Sequence, residues 1–257
     1  MLDYQKELEK AVRYFWRTRG TQKKRQGGDS GQKDAGNRSA VTGGKHADGF
    51  VQLIAAIVKD AAVPNVDIHV TQKKPRTLPG FYRPCKEWDL VVLSDKSLVA
   101  AVEVKSQVGS FGNNFNNRVE EALGNATDFW AAYREGAFKP SLKPWLGYLF
   151  MLEETAQSLR PTKRIKLYPY NIDDEFQERS YAKRYELVCE RLVRDRLYDA
   201  ACFFTSNANA GRRGEYHEPN RELSISNFAI SLHARAAAFA RAGEELTVLE
   251  GSAEEDS

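Results

Sequence analysis

The sequence predicts an α/β protein with a mixed central β-sheet flanked by helices. Amphipathic helical patterns alternate with short apolar runs along the chain, which favours helices and strands packed in layers. The 257 residues include 42% hydrophobic and 28% charged side chains, which indicates a soluble globular protein with its own core. We therefore expect a single domain over residues 1–243, followed by an acidic, disordered tail over residues 244–257.

The first third of the chain is predicted to contain two helices and one strand. Residues 2–19 repeat apolar side chains at helical spacing. Residues 20–49 contain eight glycines with scattered lysines and arginines, which is typical of a long mobile loop. A buried helix over residues 50–62 and a short strand over residues 65–70 follow. Residues 71–87 then form a basic loop interrupted by prolines.

The centre of the chain predicts a β-hairpin or two adjacent strands. Residues 88–93 and 98–105 are apolar runs rich in β-branched side chains, separated by four polar residues at 94–97. A loop rich in glycine and asparagine over residues 109–117 leads into a helix over about residues 118–133. The remaining elements are two strands, 145–152 and 200–205, and two helices, 183–198 and 223–241.

Charge and cysteine content narrow the functional classes. The net charge of +3 comes from 38 basic and 35 acidic side chains; six of the acids lie in the tail, so the body has 38 against 29, a net charge of +9. A basic body suits a polyanionic partner such as DNA. The three cysteines form no CxxC pair, which argues against a disulfide framework or a zinc module and for a cytoplasmic protein. Neither a signal-peptide pattern nor an apolar run of membrane length is present, so no membrane role is expected.

One strand of the predicted hairpin ends in charged residues. Side chains alternate along a strand, so Glu103 and Lys105 share one face. On the preceding strand Asp89 interrupts another apolar run, and a turn at 94–97 places it roughly opposite residue 102 or 103. Charges buried there are costly unless they are paired or bind a ligand.

Two neighbouring carboxylates suit a hard divalent cation. Mg²⁺ prefers one or two carboxylates, with water, carbonyl or phosphate oxygens in its other positions. The Lys105 ammonium could orient or help to deprotonate a metal-bound water, and could offset charge that develops on a phosphate. The alternative is that Glu103 and Lys105 form an ion pair without a catalytic role.

The spacing of these residues resembles the core of the PD-(D/E)xK nucleases. Asp89 is followed by thirteen residues and then Glu103-Val104-Lys105, although Trp88 stands where that motif has proline. A wider set of segments, over most of residues 1–240, is similar to the XhoI family of type II restriction endonucleases. These segments are Trp88-Asp89-Leu90, Val102 to Arg118, Glu120-Glu121-Ala122, Ala131 to Gly136, Tyr181 to Tyr185 and Ala200 to Phe203.

The resemblance implies a restriction-endonuclease-like fold and a homodimer that cuts both strands of a palindromic hexamer, CTCGAG, with Mg²⁺. It makes Asp89 and Glu103 metal ligands, the Val104 carbonyl a further ligand, and Lys105 the residue that manages the attacking water. In-line attack on phosphorus would release the 3′-oxygen and leave a 5′-phosphate. The chain has no Asp-Pro-Pro-Tyr-like motif, so protection of host DNA would need a separate methyltransferase.

Candidate DNA-binding residues are asparagines, arginines and lysines outside this core. Asparagine pairs with adenine and arginine with guanine in the major groove, whereas lysines mostly contact phosphates. The candidates for base contact are Asn113, Asn114, Asn116, Asn117, Arg118, Arg212 and Arg213. The candidates for phosphate contact are Lys23, Lys24, Arg25, Lys73, Lys74 and Arg76. Asparagine-rich stretches also form turns and helix caps, and surface cations are often only solvated.

Two other functions are compatible with these residues. One is a repair or recombination nuclease with the same core that selects DNA by its structure. The other is a DNA-binding protein without catalysis, in which Glu103 and Lys105 form a structural pair. No ATP-driven translocation is expected, because Gly43-Gly44-Lys45-His46 lacks the hydroxyl residue of a phosphate-binding loop.

Overall fold

A mixed sheet of five strands lies at the centre of the protein. The computed structural model describes the backbone of residues 2–26, 47–63 and 65–255, and side chains within 2–21, 47–63 and 65–241. The strands are β1 (Val66–His69), β2 (Thr77–Pro79), β3 (Cys85–Glu87), β4 (Leu90–Ser94), β5 (Ser97–Gln107), β6 (Trp145–Glu153) and β7 (Ala200–Ser206). The main sheet has the order β1-β4-β5-β6-β7, antiparallel from β1 to β5 and parallel from β5 to β7. The predicted α/β class and mixed sheet are confirmed.

Helices cover both faces of this sheet. They are α1 (Tyr4–Gln26), α2 (Asp48–Asp60), α3 (Phe111–Arg134), α4 (Ala156–Leu159), α5 (Tyr181–Arg194), α6 (Ala208–Gly211) and α7 (Ile225–Glu255). One core cluster joins α1, α2 and α7 to side chains such as Val102 and Val104. The other joins α3 and α5 to the opposite face, which includes Ala101 and Phe150. The parallel connections from β5 to β6 and from β6 to β7 run through α3 and α5, on the same side of the sheet.

A small second sheet forms where the sequence predicted only a basic loop over residues 71–87. Strands β2 and β3 pair in an antiparallel hairpin, preceded by a short 3-10 helix at Lys74–Arg76. The hairpin is fixed to α3 by Asp128, which accepts hydrogen bonds from the backbone N–H groups of Phe81 and Tyr82, each 2.8 Å long. The Arg83 guanidinium also donates to Asp128, at 2.7 Å. Three contacts to one side chain of α3 therefore hold a turn that has little core of its own.

Both ends of the chain contain more helix than the sequence predicted. Helix α1 continues through residues 20–26, which were assigned to the mobile loop. Helix α7 continues to Glu255, so residues 244–255 are helical where a disordered tail was predicted. Alanine, leucine and glutamate favour helix, and continuation of an existing helix avoids the cost of a new nucleus. Residues 27–46 of the predicted loop lie outside the described residues.

The described helices include none that is both long enough and apolar enough to cross a membrane. All three cysteines are free thiols, with Cys85 exposed and Cys189 and Cys202 buried. Burial raises the pKa of Cys189 and Cys202, so these two thiols are unreactive core residues. The prediction that no disulfide framework is present agrees with this arrangement.

Candidate active site

The hairpin of β4 and β5 brings Asp89 to Glu103. Leu90 pairs with Val102, so Asp89, one residue before β4, lies across from Glu103. Two hydrogen bonds fix this register: the Asp89 N–H donates to the Val102 carbonyl at 3.2 Å, and the Val104 N–H donates to Asp89 Oδ2 at 2.8 Å. The two carboxylates therefore lie on adjacent strands at the same end of the sheet, as the sequence predicted.

Glu103 is a buried carboxylate held by two lysines. Glu103 is only 2% exposed and lies on the face of the sheet that α3 covers. Lys105 Nζ lies 2.5 Å from Oε1, and Lys86 Nζ lies 2.7 Å from Oε2. Burial alone would raise the pKa of Glu103, but Lys105 and Lys86 outweigh it and leave the pKa below its ordinary value. Glu103 is therefore ionised at neutral pH.

Asp89 has the opposite electrostatic balance. Burial and the neighbouring Glu103 charge raise the pKa of Asp89 from 3.8 to about 6. The hydrogen bond from Val104 and the more distant charges of Lys105 and Lys86 offset only part of that shift. A carboxylate that is hard to ionise beside an ionised one is the arrangement that a bound cation relieves, and such perturbed groups cluster at functional sites.

Lys105 is a cation in this arrangement. Burial would lower its pKa, but the ion pair with Glu103 and the charges of Asp89 and Glu121 raise the pKa above its ordinary value. Glu121 on α3 has Oε2 at 3.9 Å from Lys105 Nζ and at 2.7 Å from Arg118 Nη1. A protonated Lys105 suits a role as donor and positive charge better than a role as base.

The asparagine block lies on a helix, which corrects the predicted loop. Helix α3 begins at Phe111, so all four asparagines from Asn113 to Asn117 occupy its first turns. Glycine and asparagine are weak helix formers, but Phe111 is buried and Phe115 packs against Tyr185, and tertiary packing overrides local propensity. Three asparagines share an exposed face: Asn113, Asn116 and Asn117. Asn114 is half-buried, one turn before Arg118.

The three arginines among the candidates for base contact lie in two different places. Arg118 is engaged with Glu121, next to Lys105. Arg212 and Arg213 are exposed just after α6, where the Arg212 guanidinium lies against Gly20 and Arg213 pairs with Glu215 at 2.6 Å. That region follows the carboxyl end of β7, two strands away from β5.

The basic residues before β2 have different environments. Lys73 and Lys74 are exposed beside the β2–β3 hairpin, with Lys73 Nζ at 3.7 Å from Glu87. Arg76 is structural, since it donates to Glu87 at 2.6 Å and to the Trp88 carbonyl at 2.5 Å. The side chains of Lys23, Lys24 and Arg25 lie outside the described set.

Sequence reasoning missed two charged residues of the site. Lys86 comes from β3 and lies over the Trp88 ring, 4.3 Å from its centroid. Its contact with Glu103 depends on how the small sheet docks, which no local pattern reveals. Glu121 had a weak signal in its i,i+3 spacing from Arg118, which predicts an ion pair on a helix but not the approach to Lys105.

The residues present fit a hard divalent cation. The described residues contain no group of three or more histidine, cysteine, aspartate or glutamate side chains that could hold a metal ion. A metal at Asp89 and Glu103 would therefore take its other ligands from backbone, water or substrate oxygens, which is how Mg²⁺ is usually bound. A cation there would compete with Lys86 and Lys105 for Glu103.

Comparison with known proteins identifies the family. The family described as "Restriction endonuclease XhoI" matches residues 25–218. The type II restriction enzyme BstVI of Geobacillus stearothermophilus is 48% identical over 206 residues, 78% of this chain and 91% of that enzyme. XhoI of Xanthomonas vasicola is 39% identical over 194 residues, 75% of this chain and 77% of that enzyme. AbrI of Azospirillum brasilense is 46% identical over 160 residues, 62% of this chain and 70% of that enzyme.

No solved structure matches the chain significantly. The family match covers most of the sequence and includes the β4–β5 hairpin and all of α3. The segments that suggested the resemblance, from Trp88 to Phe203, fall within the matched range. The protein therefore belongs to the XhoI family of type II restriction endonucleases.

Proposed function

We propose that this protein is a homodimer that makes Mg²⁺-dependent double-strand cuts in DNA at the palindrome CTCGAG and leaves 5′-phosphate ends. Membership of the family makes it a type II restriction enzyme, a site-specific deoxyribonuclease acting on double-stranded DNA. The observation that carries the chemistry is the ionised Glu103 beside an Asp89 carboxyl that is hard to ionise, with a cationic Lys105 at 2.5 Å from Glu103.

We assign Asp89, Glu103 and the Val104 carbonyl as the metal ligands. The N–H and C=O of one residue point to the same side of a strand, and the Val104 N–H already points at Asp89. The Val104 carbonyl therefore also lies on the Asp89 side of β5. At this position β5 extends past Leu90, the first residue of β4, so β4 does not cover the carbonyl. When bound, Mg²⁺ supplies Lewis acidity to the phosphate and lowers the pKa of a coordinated water.

Lys105 acts as a positioned cation. Its raised pKa keeps the ammonium protonated, so it donates hydrogen bonds to the attacking water or to a phosphate oxygen and stabilises the charge of the transition state. In the net reaction a water oxygen forms a bond to phosphorus and the P–O3′ bond breaks. The 3′-oxygen takes a proton, which gives a 3′-hydroxyl and a 5′-phosphate.

The other parts of the proposal follow from the reaction. A palindrome is cut on both strands most simply by a two-fold symmetric dimer, in which each protomer supplies one site. A cell that contains such an enzyme needs a separate methyltransferase to protect its own copies of the site. We place the enzyme in the cytoplasm, where its DNA substrate and the reducing conditions that suit three free thiols are found.

A plasmid digest tests this function. We expect a plasmid with one CTCGAG site to become a single linear product with Mg²⁺ and to stay uncut with a chelator. Ligation and end sequencing should show 5′-phosphates. A matched plasmid with one base pair of the site changed should remain uncut, and Lys105→Ala should not cut either plasmid. A smear, cleavage of the matched plasmid, or selective cutting of branched DNA would overturn the assignment of sequence and favour a structure-selective nuclease.

A further inference from the structure

A basic and aromatic segment connects α4 to α5; we call residues 160–179 the arm. Its cations are Arg160, Lys163, Arg164 and Lys166 near its start and Arg179 at its end. The sequence has no acidic residue between Glu154 and Asp173, and residues 163–171 are all exposed. Its most exposed large side chains are Leu167 (61%), Tyr168 (97%) and Tyr170 (74%). A group of large, exposed side chains close together in the sequence is typical of a binding surface, so the arm is a candidate for one.

The arm is held in a defined shape by its own hydrogen bonds. The Gln177 side chain accepts from the Ile165 N–H at 3.1 Å and donates to the Ile165 carbonyl at 3.0 Å, as a neighbouring strand would. Thr162 donates through its hydroxyl to the Arg179 carbonyl at 2.9 Å. These bonds tie the two sides of the arm together, so less ordering is required when a ligand binds.

Of the four acids in the arm, Asp173, Asp174, Glu175 and Glu178, two are already paired. Arg191 on α5 contacts Asp173 and Glu175, each at 2.6 Å. Among the described residues, none of the five arm cations has an ion-pair partner of its own. The positive charge of residues 160–172, which contain no acid, is therefore available to an external anion.

The base of the arm adjoins the active-site helix. Phe176 of the arm packs against Phe115 of α3, with ring centroids 6.4 Å apart. Phe115 precedes Arg118 by one turn, and the Arg118–Glu121 pair contacts Lys105. The end of the arm thus contacts α3 one turn before Arg118, which leads through Glu121 to Lys105.

We propose that the arm binds the DNA backbone next to the cut phosphodiester, with its cations on phosphates and its tyrosines against sugars or bases. This inference rests on the proposed function, because it takes double-stranded DNA as the substrate. Unpaired cations interleaved with exposed aromatic rings suit a nucleic acid, whose phosphates neutralise the cations and whose sugars and bases cover the rings. A second copy of the chain fits less well, since a two-fold interface would set the same cations of each copy against each other.

The test is the salt dependence of DNA binding. We compare the wild type with a Lys163→Ala/Arg164→Ala/Lys166→Ala variant by fluorescence anisotropy, on a duplex that contains the site, in chelator so that no cutting occurs. Each phosphate contact contributes about 0.9 to the slope of log K against log salt concentration, so three lost contacts should reduce the slope by about 2.7. A Tyr168→Ala/Tyr170→Ala variant should bind more weakly by roughly tenfold with an unchanged slope.

A charge-matched control separates the arm from general electrostatics. Lys59→Ala/Arg134→Ala/Lys139→Ala removes three exposed cations that lie outside the arm and form no ion pair with another described residue. This control should leave the slope almost unchanged. An arm variant whose affinity and slope equal those of the wild type overturns the inference while leaving the proposed function intact.

Two further outcomes remain decisive. Sedimentation of the arm variant should show the same oligomeric state as the wild type; if the variant dissociates, the arm is a subunit interface and the inference is wrong. If the wild type itself neither binds nor cuts the duplex, the proposed function fails before the arm is at issue. Circular dichroism should show that all three variants are folded, because every substituted side chain is exposed.

Discussion

Asp89 and Asp128 are both acidic residues on the α3 side of the sheet, yet they have opposite environments. Asp128 accepts hydrogen bonds from two backbone N–H groups and the Arg83 guanidinium. Burial alone would raise its pKa, but these donors outweigh it and lower the pKa. Asp89 has one backbone donor and lies against the Glu103 charge, and its pKa is about 6.

This difference separates a structural carboxylate from one suited to a ligand. The donors around Asp128 satisfy its charge, so it stabilises the fold and holds the β2–β3 hairpin. The surroundings of Asp89 leave its charge poorly compensated, so the ionised carboxylate costs stability that a bound cation would recover. The two acids thus differ in how well their charge is compensated, although neither is exposed.

The largest expected effect is the loss of cleavage in Asp89→Asn. The substitution keeps an oxygen to accept from the Val104 N–H but removes the charge that a metal needs. Cleavage should fall at least about 100-fold, a loss comparable to removing one electrostatic contact to a transition state. In a thermal melt, Mg²⁺ should stabilise the wild type and have little effect on the variant. Normal cleavage by Asp89→Asn would exclude Asp89 as a metal ligand.

Asp128→Ala should have its main effect on stability. It leaves two backbone donors and Arg83 without their acceptor, and we expect the free energy of unfolding to fall by about 2–3 kcal/mol in urea titrations. Cleavage by the folded variant should fall less than tenfold, through looser placement of Lys86 on β3.

Lys86→Ala should then lower cleavage by a similar factor, and the double variant should be little worse. Loss of cleavage as severe as in Asp89→Asn would contradict the distinction between the two acids.

The smallest effect is a pH-dependent gain of stability in Asp89→Asn. Between pH 3.8 and about 6 the folded wild type binds more protons at Asp89 than the unfolded chain does, so its stability falls as pH rises. Asp128 acts in the opposite direction, because its lowered pKa adds stability as pH rises through the acid range. In chelator, Asp89→Asn should match the wild type near pH 4 and exceed it by about 1–2 kcal/mol above pH 6, after discounting for partial exposure. If the two proteins differ in free energy of unfolding by the same amount at both pH values, the difference does not come from titration of Asp89.

The β4–β5 hairpin and the shared face of Glu103 and Lys105 could be predicted because they follow from the strand period alone. The start of α3 could not, because Phe111 and Phe115 form helix only when α5 and the sheet are there to bury them. Lys86 was missed for a similar reason, since its contact with Glu103 arises when two separate sheets dock. Local periodicity therefore predicts the strands that hold the site, whereas the ion pairs that balance its charges depend on tertiary structure.

The grip of Lys86 and Lys105 on both oxygens of Glu103 has a consequence for the order of events on DNA. Two acids and two lysines make a cluster with no net charge at neutral pH, although a polyanion would be repelled by either acid alone. A duplex can therefore settle at this centre before any cation is recruited. The phosphates of the duplex would then attract the cation and compete with Glu103 for contact with the two lysines. With zero net charge at this cluster, the protein would move along DNA without local repulsion and would take up a cation there only where a phosphate stays close.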